Sequence, residues 1–304
     1  MTHVFIDGEQ GTTGLQICER LRYRSDITLM TLPSSKRKDE RLRKEMLNSC
    51  DIALLCLPDE AARDAVALIK NPQVRVIDAS SAHRVSDGWT YGFPEMSSDQ
   101  PDRIRESRRV TNPGCYPTGA IGLLLPLVKD GLLPSDYPVS IHAVSGYSGG
   151  GRMAIDLYES DNAAAASFQV YGLGLKHKHM PEIGRYSRLI FSPMFIPSYG
   201  AYRQGIALTV PLHQRLLAKG ADAFRIHNCL SQHYANSQHI NVKLHRNAGE
   251  TVRINPESLN GTDNMELCVY SNSDDNQILL TAVFDNLGIG ASGAAVKNLD
   301  IMTA

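Results

Sequence analysis

At 304 residues the chain is about twice the length of a typical single domain, so two domains sharing an interface are expected. Hydrophobic residues make up 42% and charged residues 21%, an ordinary globular balance that excludes extended disorder. With 31 basic residues against 32 acidic ones, the formal charge of -1 excludes a net pull toward nucleic acid or an anionic membrane, so any anionic ligand must be held by a local site.

The opening residues MTHVFIDGEQ enter a strand at once, without a basic n-region or an apolar h-region. No apolar run reaches the roughly 18 residues of a membrane span, and the expectation is a cytoplasmic protein. Short apolar runs then alternate with amphipathic stretches: Val4 to Ile6, Leu15 to Leu21, Ile27 to Leu32, Arg41 to Leu47, Ile52 to Leu57, Glu60 to Ile69 and Val74 to Ile77. Strand and helix repeated in this way predict an α/β, Rossmann-type doubly wound domain whose strand-end loops carry chemistry. From about Pro113 the texture changes. A helix near Thr118 to Lys129 is followed by β-like runs at Val139 to Val144, Arg203 to Pro211, Ile240 to Leu244, Met265 to Tyr270 and Ile278 to Phe284. This predicts an α+β catalytic domain with few helices and a mainly antiparallel sheet, closed by a Gly/Ala-rich helix over Gly290 to Leu299.

Gly8, Gly11 and Gly14 stand three apart where the first strand enters the first helix, flanking Thr12 and Thr13. At that place a backbone can approach a pyrophosphate and helix N-terminal amides can bind it. The second strand runs into Pro33-Ser34-Ser35-Lys36-Arg37-Lys38, with no carboxylate to bind a ribose 2'-hydroxyl. Hydroxyls and cations there suit a 2'-phosphate and favour NADP(H) over NAD, the alternative being a solvated surface run. Pro58 and Ser80, just past later strand ends, complete the cofactor set expected in this half.

The six cysteines are scattered, with no CxxC pair and no zinc-ligand spacing, so no metal is expected and most should be inert core residues. Cys115 differs, because Asn112-Pro113-Gly114-Cys115-Tyr116-Pro117-Thr118 places it at a tight turn entering a helix. The positive end of the dipole and free amides favour a thiolate there, and the same amides can serve as an oxyanion hole. His177-Lys178-His179-Met180-Pro181-Glu182 supplies two imidazoles and a carboxylate able to orient one of them. Read as an extended segment, it points both imidazoles to one side; spacing does not distinguish which is the acid/base. The remaining histidines, His83, His142 and His245 among them, carry no role. Ser145-Gly146-Tyr147-Ser148-Gly149-Gly150-Gly151-Arg152 is a glycine-dense loop ending in a cation, and Asp78 to Arg84 follows a strand end. Arg84 and Arg152 suit bidentate contact with phosphate or carboxylate, or a surface ion pair.

The motifs Asn-Pro-Gly-Cys-Tyr-Pro-Thr, Ser-Gly-x-Ser-Gly-Gly-Gly-Arg and His-x-His-x-Pro-Glu-Ile occur in this order, together with Tyr91-Gly92-Phe93-Pro94-Glu95 and Asn286-Leu287-Gly288-Ile289-Gly290. The chain thereby resembles the N-acetyl-gamma-glutamyl-phosphate reductases, in particular their shorter form, from Gly8 to Asn298. The resemblance implies that Cys115 is the acyl-forming nucleophile, that His177 or His179 with Glu182 handles the proton, and that NADPH reduces the thioester of an acyl phosphate with release of inorganic phosphate. It implies a substrate or phosphate set of Arg84, Asn112, Ser145, Gly146, Ser148, Gly149 and Arg152, and it brings Asn286 and Gly290 to the cofactor. At Arg84 the match is looser, since Ser81-Ala82 replaces the usual Ala-Asp and His83 stands next to the arginine. The last helix is implied to return to the nucleotide domain, giving domains 1–113 with 287–304 and 114–286, in a homotetramer or homodimer. The rival readings are an aspartate-semialdehyde dehydrogenase, a reductase of a longer acyl phosphate, and a silent NADP-sensing protein.

Overall fold

The computed structural model describes residues 1–160, 166–243, 252–272 and 276–304, with 246–247 by their backbone; Leu244 and His245 lie outside these. Two compact units divide the chain, residues 1–114 with 291–304 and residues 115–290.

The first unit holds β1 (Thr2–Asp7), α1 (Thr12–Leu21), β2 (Ile27–Met30), α2 (Glu40–Ser49), β3 (Ile52–Leu55), α3 (Asp59–Leu68), β4 (Arg75–Asp78), β5 (Thr90–Tyr91), α4 (Gln100–Glu106) and β6 (Arg109–Thr111). Its strands pair in the order β2-β1-β3-β4-β6-β5, all in parallel. A parallel sheet with crossover helices is buried on both faces, which is why its strands read as unbroken apolar runs. Side chains alternate across the sheet. Val4, Ile6, Leu54 and Ile77 meet Ile17 and Leu21 of α1 and Ala295, Leu299 and Met302 of the C-terminal helix (Gly293–Thr303). Phe5, Ala53, Leu55 and Val76 meet Leu47 and Ala65 of α2 and α3. The Asp39 carboxylate caps α2 by accepting from the Leu42 amide at 3.1 Å.

The second unit holds α5 (Cys115–Lys129), β7 (Ser140–Gly146), α6 (Gly151–Glu159), β8 (Phe168–Val170), α7 (Met180–Tyr186), β9 (Met194–Gly200), β10 (Ile206–His213), α8 (Ala223–His233), β11 (Ile240–Val242), β12 (Arg246–Asn247), β13 (Met265–Asn272) and β14 (Gln277–Phe284). The strands run in the order β11-β13-β14-β10-β7-β9-β8, with β12 on β13. The expectation of a mainly antiparallel sheet gives way here to a mixed one. Pairs β10/β14, β10/β7, β13/β14 and β8/β9 are antiparallel, whereas β7/β9, β11/β13 and β12/β13 are parallel. The physical reason is the long connection from β7 to β9 through α6, β8 and α7, since a parallel neighbour is reached only by a crossover and not by a tight turn. Among the described residues four helices accompany this sheet. Helix α5 is its spine, buried from Tyr116 to Leu127. Pro117 sits in its first turn, where no amide is required, and Pro126 lies inside the helix. Among the described residues no helix is long and apolar enough to cross a membrane.

Candidate functional site

In the first unit, the turn after β1 is shaped by backbone crowding. Gly8 has φ +93°, and a Cβ there would lie 2.3 Å from the Cys56 carbonyl oxygen at the end of β3. A Cβ on Gly14 would lie 2.4 Å from the Gly8 carbonyl. Only glycine permits both approaches. Gly11 occupies the N-cap of α1 without a side-chain cap, and the first turn carries no acidic residue, so Thr12, Thr13 and Gly14 bring amides to an electropositive helix end. Beside this turn is a cavity of about 460 Å³ lined by Asp7, Gly8, Gly11, Leu32, Arg37, Lys38, Arg43, Leu57 and Pro58, among others. Its backbone cradle and its three cations match an adenine dinucleotide with an extra phosphate.

The cavity sorts the predicted run. Arg37 and Lys38 line it, whereas Ser34, Ser35 and Lys36 form an exposed 3₁₀ turn that is not among its walls. Sequence reasoning missed Arg43, which comes from α2 and lies across buried Asp7 with bonds of 2.7 Å from Nη2 and 3.1 Å from Nε to Oδ2. The chain puts 36 residues between these two, and no local pattern marks the pair.

Ser80 turns inward: its Oγ donates to Asp78 Oδ2 at 2.8 Å, and its amide to Oδ1 at 2.9 Å. His83, left without a role by the sequence, puts Nδ1 2.6 Å from the same fully buried carboxylate and stacks on Trp89 at 4.3 Å. Arg84 is buried, with Nε donating to the Asn112 carbonyl at 3.0 Å and Nη2 to that of Ala79 at 3.2 Å. Asn112 gives its amide to the Ala291 carbonyl at 2.9 Å and receives that of Asn298 at 3.1 Å. These bonds tie the loop after β4, the end of β6 and the C-terminal helix into one buried polar network.

In the second unit, Cys115 is the first residue of α5, and it is half-buried. Gly290 leans on it: a Cβ on that glycine would meet Cys115 Cβ at 3.1 Å and Cα at 3.4 Å. The next residue, Tyr116, organises the surroundings. Its ring has the His177 ring at 6.0 Å and the His179 ring at 5.9 Å, both edge-on, and Phe195 at 5.0 Å. Its hydroxyl receives that of Tyr171 at 3.1 Å and is also bonded to Ser145. Tyr171 in turn stacks on Tyr199 at 4.3 Å. Burial pushes all three phenols up, Tyr116 and Tyr171 furthest, so they stay protonated and act as neutral hydrogen-bonding groups.

The histidine segment is not extended. Pro181 opens α7, and the preceding residues wind into a turn in which the Met180 amide donates to the His177 carbonyl at 3.0 Å. The two imidazoles still face each other, 4.7 Å apart and edge-on, because the turn rather than strand alternation brings them together. The His179 amide donates to His177 Nδ1 at 3.2 Å, which places the proton of a neutral His177 on Nε2. His179 is buried, and Glu182 is buried in the first turn of α7.

The glycine-dense loop lies at the end of β7. A Cβ on Gly146 would lie 2.5 Å from the Arg203 carbonyl, and one on Gly149 2.9 Å from Ser145 Oγ. Ser148 Oγ accepts from Asn286 Nδ2 at 3.0 Å, and Asn286 Oδ1 accepts from the Gly205 amide at 2.7 Å. Arg152 forms an exposed ion pair with Asp156 one turn along α6 at 2.8 Å.

Residues 3–104 match the semialdehyde dehydrogenase NAD binding domain, and residues 115–286 the semialdehyde dehydrogenase dimerisation domain. The N-acetyl-gamma-glutamyl-phosphate reductase of Burkholderia orbicola (strain MC0-3) is 60% identical over 301 residues, covering 98% of this chain and 96% of the relative. The chain belongs to the N-acetyl-gamma-glutamyl-phosphate reductase family. Solved structures of aspartate semialdehyde dehydrogenases share the fold. The Vibrio cholerae enzyme II complexed with ASA has a TM-score of 0.74 at 16% identity, covering 100% of this chain and 98% of that one. The Candida albicans enzyme with NADP has a TM-score of 0.65 at 15% identity, covering 100% and 99%. As a member of the reductase family, the chain departs from the sequence expectations mainly in what it adds: Arg43 with Asp7 in one unit, and the Tyr116, Tyr171 and Tyr199 cluster in the other. Of these Tyr116 lay within a motif, directly after Cys115, and Asp7 stood directly before Gly8.

Proposed function

We propose that this chain catalyses the NADPH-dependent reduction of N-acetyl-L-glutamyl 5-phosphate to N-acetyl-L-glutamate 5-semialdehyde and inorganic phosphate, a step of arginine biosynthesis, with Cys115 as nucleophile. Family membership supports the reaction. The observation that carries the assignment of residues is the seat of Cys115, at the head of a buried helix with two imidazoles packed on its neighbour Tyr116.

The Cys115 thiolate attacks the acyl carbonyl, the bond from that carbon to the phosphate oxygen breaks, and phosphate leaves, so the acyl group is held on the chain as a thioester. The α5 amides favour both the thiolate and the oxyanion that forms beside it. Bound NADPH supplies the hydride that reduces this thioester. His177 donates a hydrogen bond from Nε2–H to the carbonyl oxygen as it becomes the hemithioacetal oxyanion, and the carbon–sulfur bond then breaks to release aldehyde and thiolate with no net change in protons. We assign this role to His177 because it is half-buried with its ring proton on Nε2, whereas His179 is buried. Gly290, buried against Cys115, and the buried pair of Tyr116 and Phe195 beside it limit water, which would hydrolyse the thioester. The amides of Gly8, Gly11, Thr12, Thr13 and Gly14 would hold the pyrophosphate, Leu32, Leu57 and Pro58 would wall the adenine, and Arg37, Lys38 and Arg43 would meet the 2'-phosphate.

The test is phosphate-dependent reduction of NADP by the purified protein with N-acetylglutamate 5-semialdehyde, run beside aspartate semialdehyde. The expected rate appears with the first and needs phosphate; a rate with aspartate semialdehyde alone would move the substrate assignment. Cys115→Ser should abolish turnover and keep NADPH binding, and retained turnover would remove the thioester from the scheme. We also read the chain as a homo-oligomer, supported by the dimerisation-domain match and by the exposed apolar residues Phe168 and Val170 of edge strand β8, to be checked by sedimentation.

A further inference from the structure

The nucleophile is held from one side by α5 itself. On the other side it is held by a turn that no motif assigns to catalysis. Gly290 lies against Cys115, and its amide donates at 3.2 Å to the carbonyl of Asp285, five residues back. Asp285 is 2% exposed, and its carboxylate carries three hydrogen bonds: the Gln204 side-chain amide and the Gly261 amide, each at 2.8 Å, reach Oδ2, and the Leu287 amide at 2.9 Å reaches Oδ1. A buried carboxylate that accepts from its own turn and from two other segments fixes the backbone it belongs to. Its neighbour Asn286 extends the hold, bridging the Gly205 amide to Ser148 of the glycine-dense loop.

We infer that Asp285 is a positioning residue for the reaction, whose carboxylate anchors the turn from Asp285 to Gly290 so that Gly290 sets the place of Cys115. The inference rests on the reading of Cys115 as nucleophile. It has a chemical basis in the donor count. An asparagine at 285 keeps the shape but offers one oxygen and one amine to three donors, so at least one donor faces another donor and the turn must shift. A shift of the order of 1 Å at a nucleophile costs up to about 100-fold in rate. Asp285 is not among the residues that line the dinucleotide cavity of the first unit.

The experiment compares full-length wild type, Asp285→Asn, Gln204→Ala and Cys115→Ser, reading kcat, KM for the acyl substrate, NADPH affinity by fluorescence, folded fraction by circular dichroism, and the rate of Cys115 alkylation by iodoacetamide. Asp285→Asn is expected to be folded with NADPH affinity within about twofold of wild type, while kcat and the alkylation rate change by about 10- to 100-fold. Gln204→Ala, which removes one donor without touching the turn, should show the same pattern with a smaller, severalfold change. Wild-type kcat and alkylation in folded Asp285→Asn, with Cys115→Ser inactive, would overturn the positioning role alone. A loss of kcat that only follows loss of folded protein or of NADPH binding would overturn it too. If Asp285→Asn does not fold, Gln204→Ala decides: unchanged kcat in that variant overturns the inference. Turnover by Cys115→Ser would instead overturn the nucleophile and the inference with it.

Discussion

Two glycine-rich turns of this chain look alike in sequence and differ in what surrounds them. After β1, Gly8 and Gly14 crowd chiefly backbone, the helix behind them has no side-chain cap, and a cavity opens beside them. After β7, Gly146 lies against the Arg203 peptide, Ser145 is bonded to Tyr116, and Ser148 is bonded to Asn286, so the loop's polar groups are engaged within its own unit. We read the first turn as presenting donors to a ligand and the second as a strut in the surroundings of Cys115. The difference arises from partners distant in the chain, because glycine and serine spacing says only that backbones come close and hydroxyls are at hand, not what they meet.

The contrast between the two units extends to their thiols, and this gives the largest expected effect. Burial pushes Cys50 in the first unit and Cys229 in the second up to about 11. Only the thiolate is alkylated, so below that value their rates should be low and rise about tenfold per pH unit. At pH 7.5, Cys115 should be carboxamidomethylated at least about 100-fold faster than either. Peptide mapping by mass spectrometry reads this, and prior labelling of Cys50 would break the contrast between an engaged nucleophile and inert core thiols.

The next effect concerns the cavity of the first turn. Arg43→Met leaves the Asp7 carboxylate exposed to the cavity without its partner, and a 2'-phosphate would then meet a negative charge. Binding of 2',5'-ADP should weaken by about 10- to 100-fold and that of 5'-AMP by less than about threefold, measured by calorimetry. Arg37→Glu should act in the same sense. Equal losses for both ligands would place these arginines in structural roles only.

Ser148→Ala tests the second turn. Its removal leaves the buried Asn286 amide without that acceptor, and stability should fall by about 1 to 2 kcal/mol in urea unfolding. Unchanged stability with a raised KM for the acyl phosphate would make this turn a ligand loop like the first. The smallest effect belongs to Arg152→Ala: an exposed ion pair one helical turn long should change stability by no more than about 0.5 kcal/mol.

Much of the site was legible because its members lie in short contiguous motifs. Cys115 opens a helix, the glycines follow a strand, and the histidines stand just before Pro181, so local order alone made them candidates. The geometry within those motifs was less so. The histidine segment reads as extended by alternation, yet Pro181 starts a helix and the residues before it turn. Arg43 and Asp7 were unreadable as a pair, as was the Asp285 carboxylate with its donors from Gln204 and Gly261, because each partner looks like an ordinary surface or loop residue until the fold joins them.

The sequence by itself determined the doubly wound first unit and the kind of chemistry, since strand periodicity, glycine spacing and the Cys-Tyr-Pro motif act within a few residues of one another. Tertiary structure alone decided that the second sheet is mixed, that Arg43 rather than Lys36 lines the nucleotide cavity, and that Ser148 is bonded to Asn286. Those outcomes depend on strand pairing and on polar groups meeting across tens to hundreds of residues, where the buried partner, and not the local pattern, sets what a side chain does.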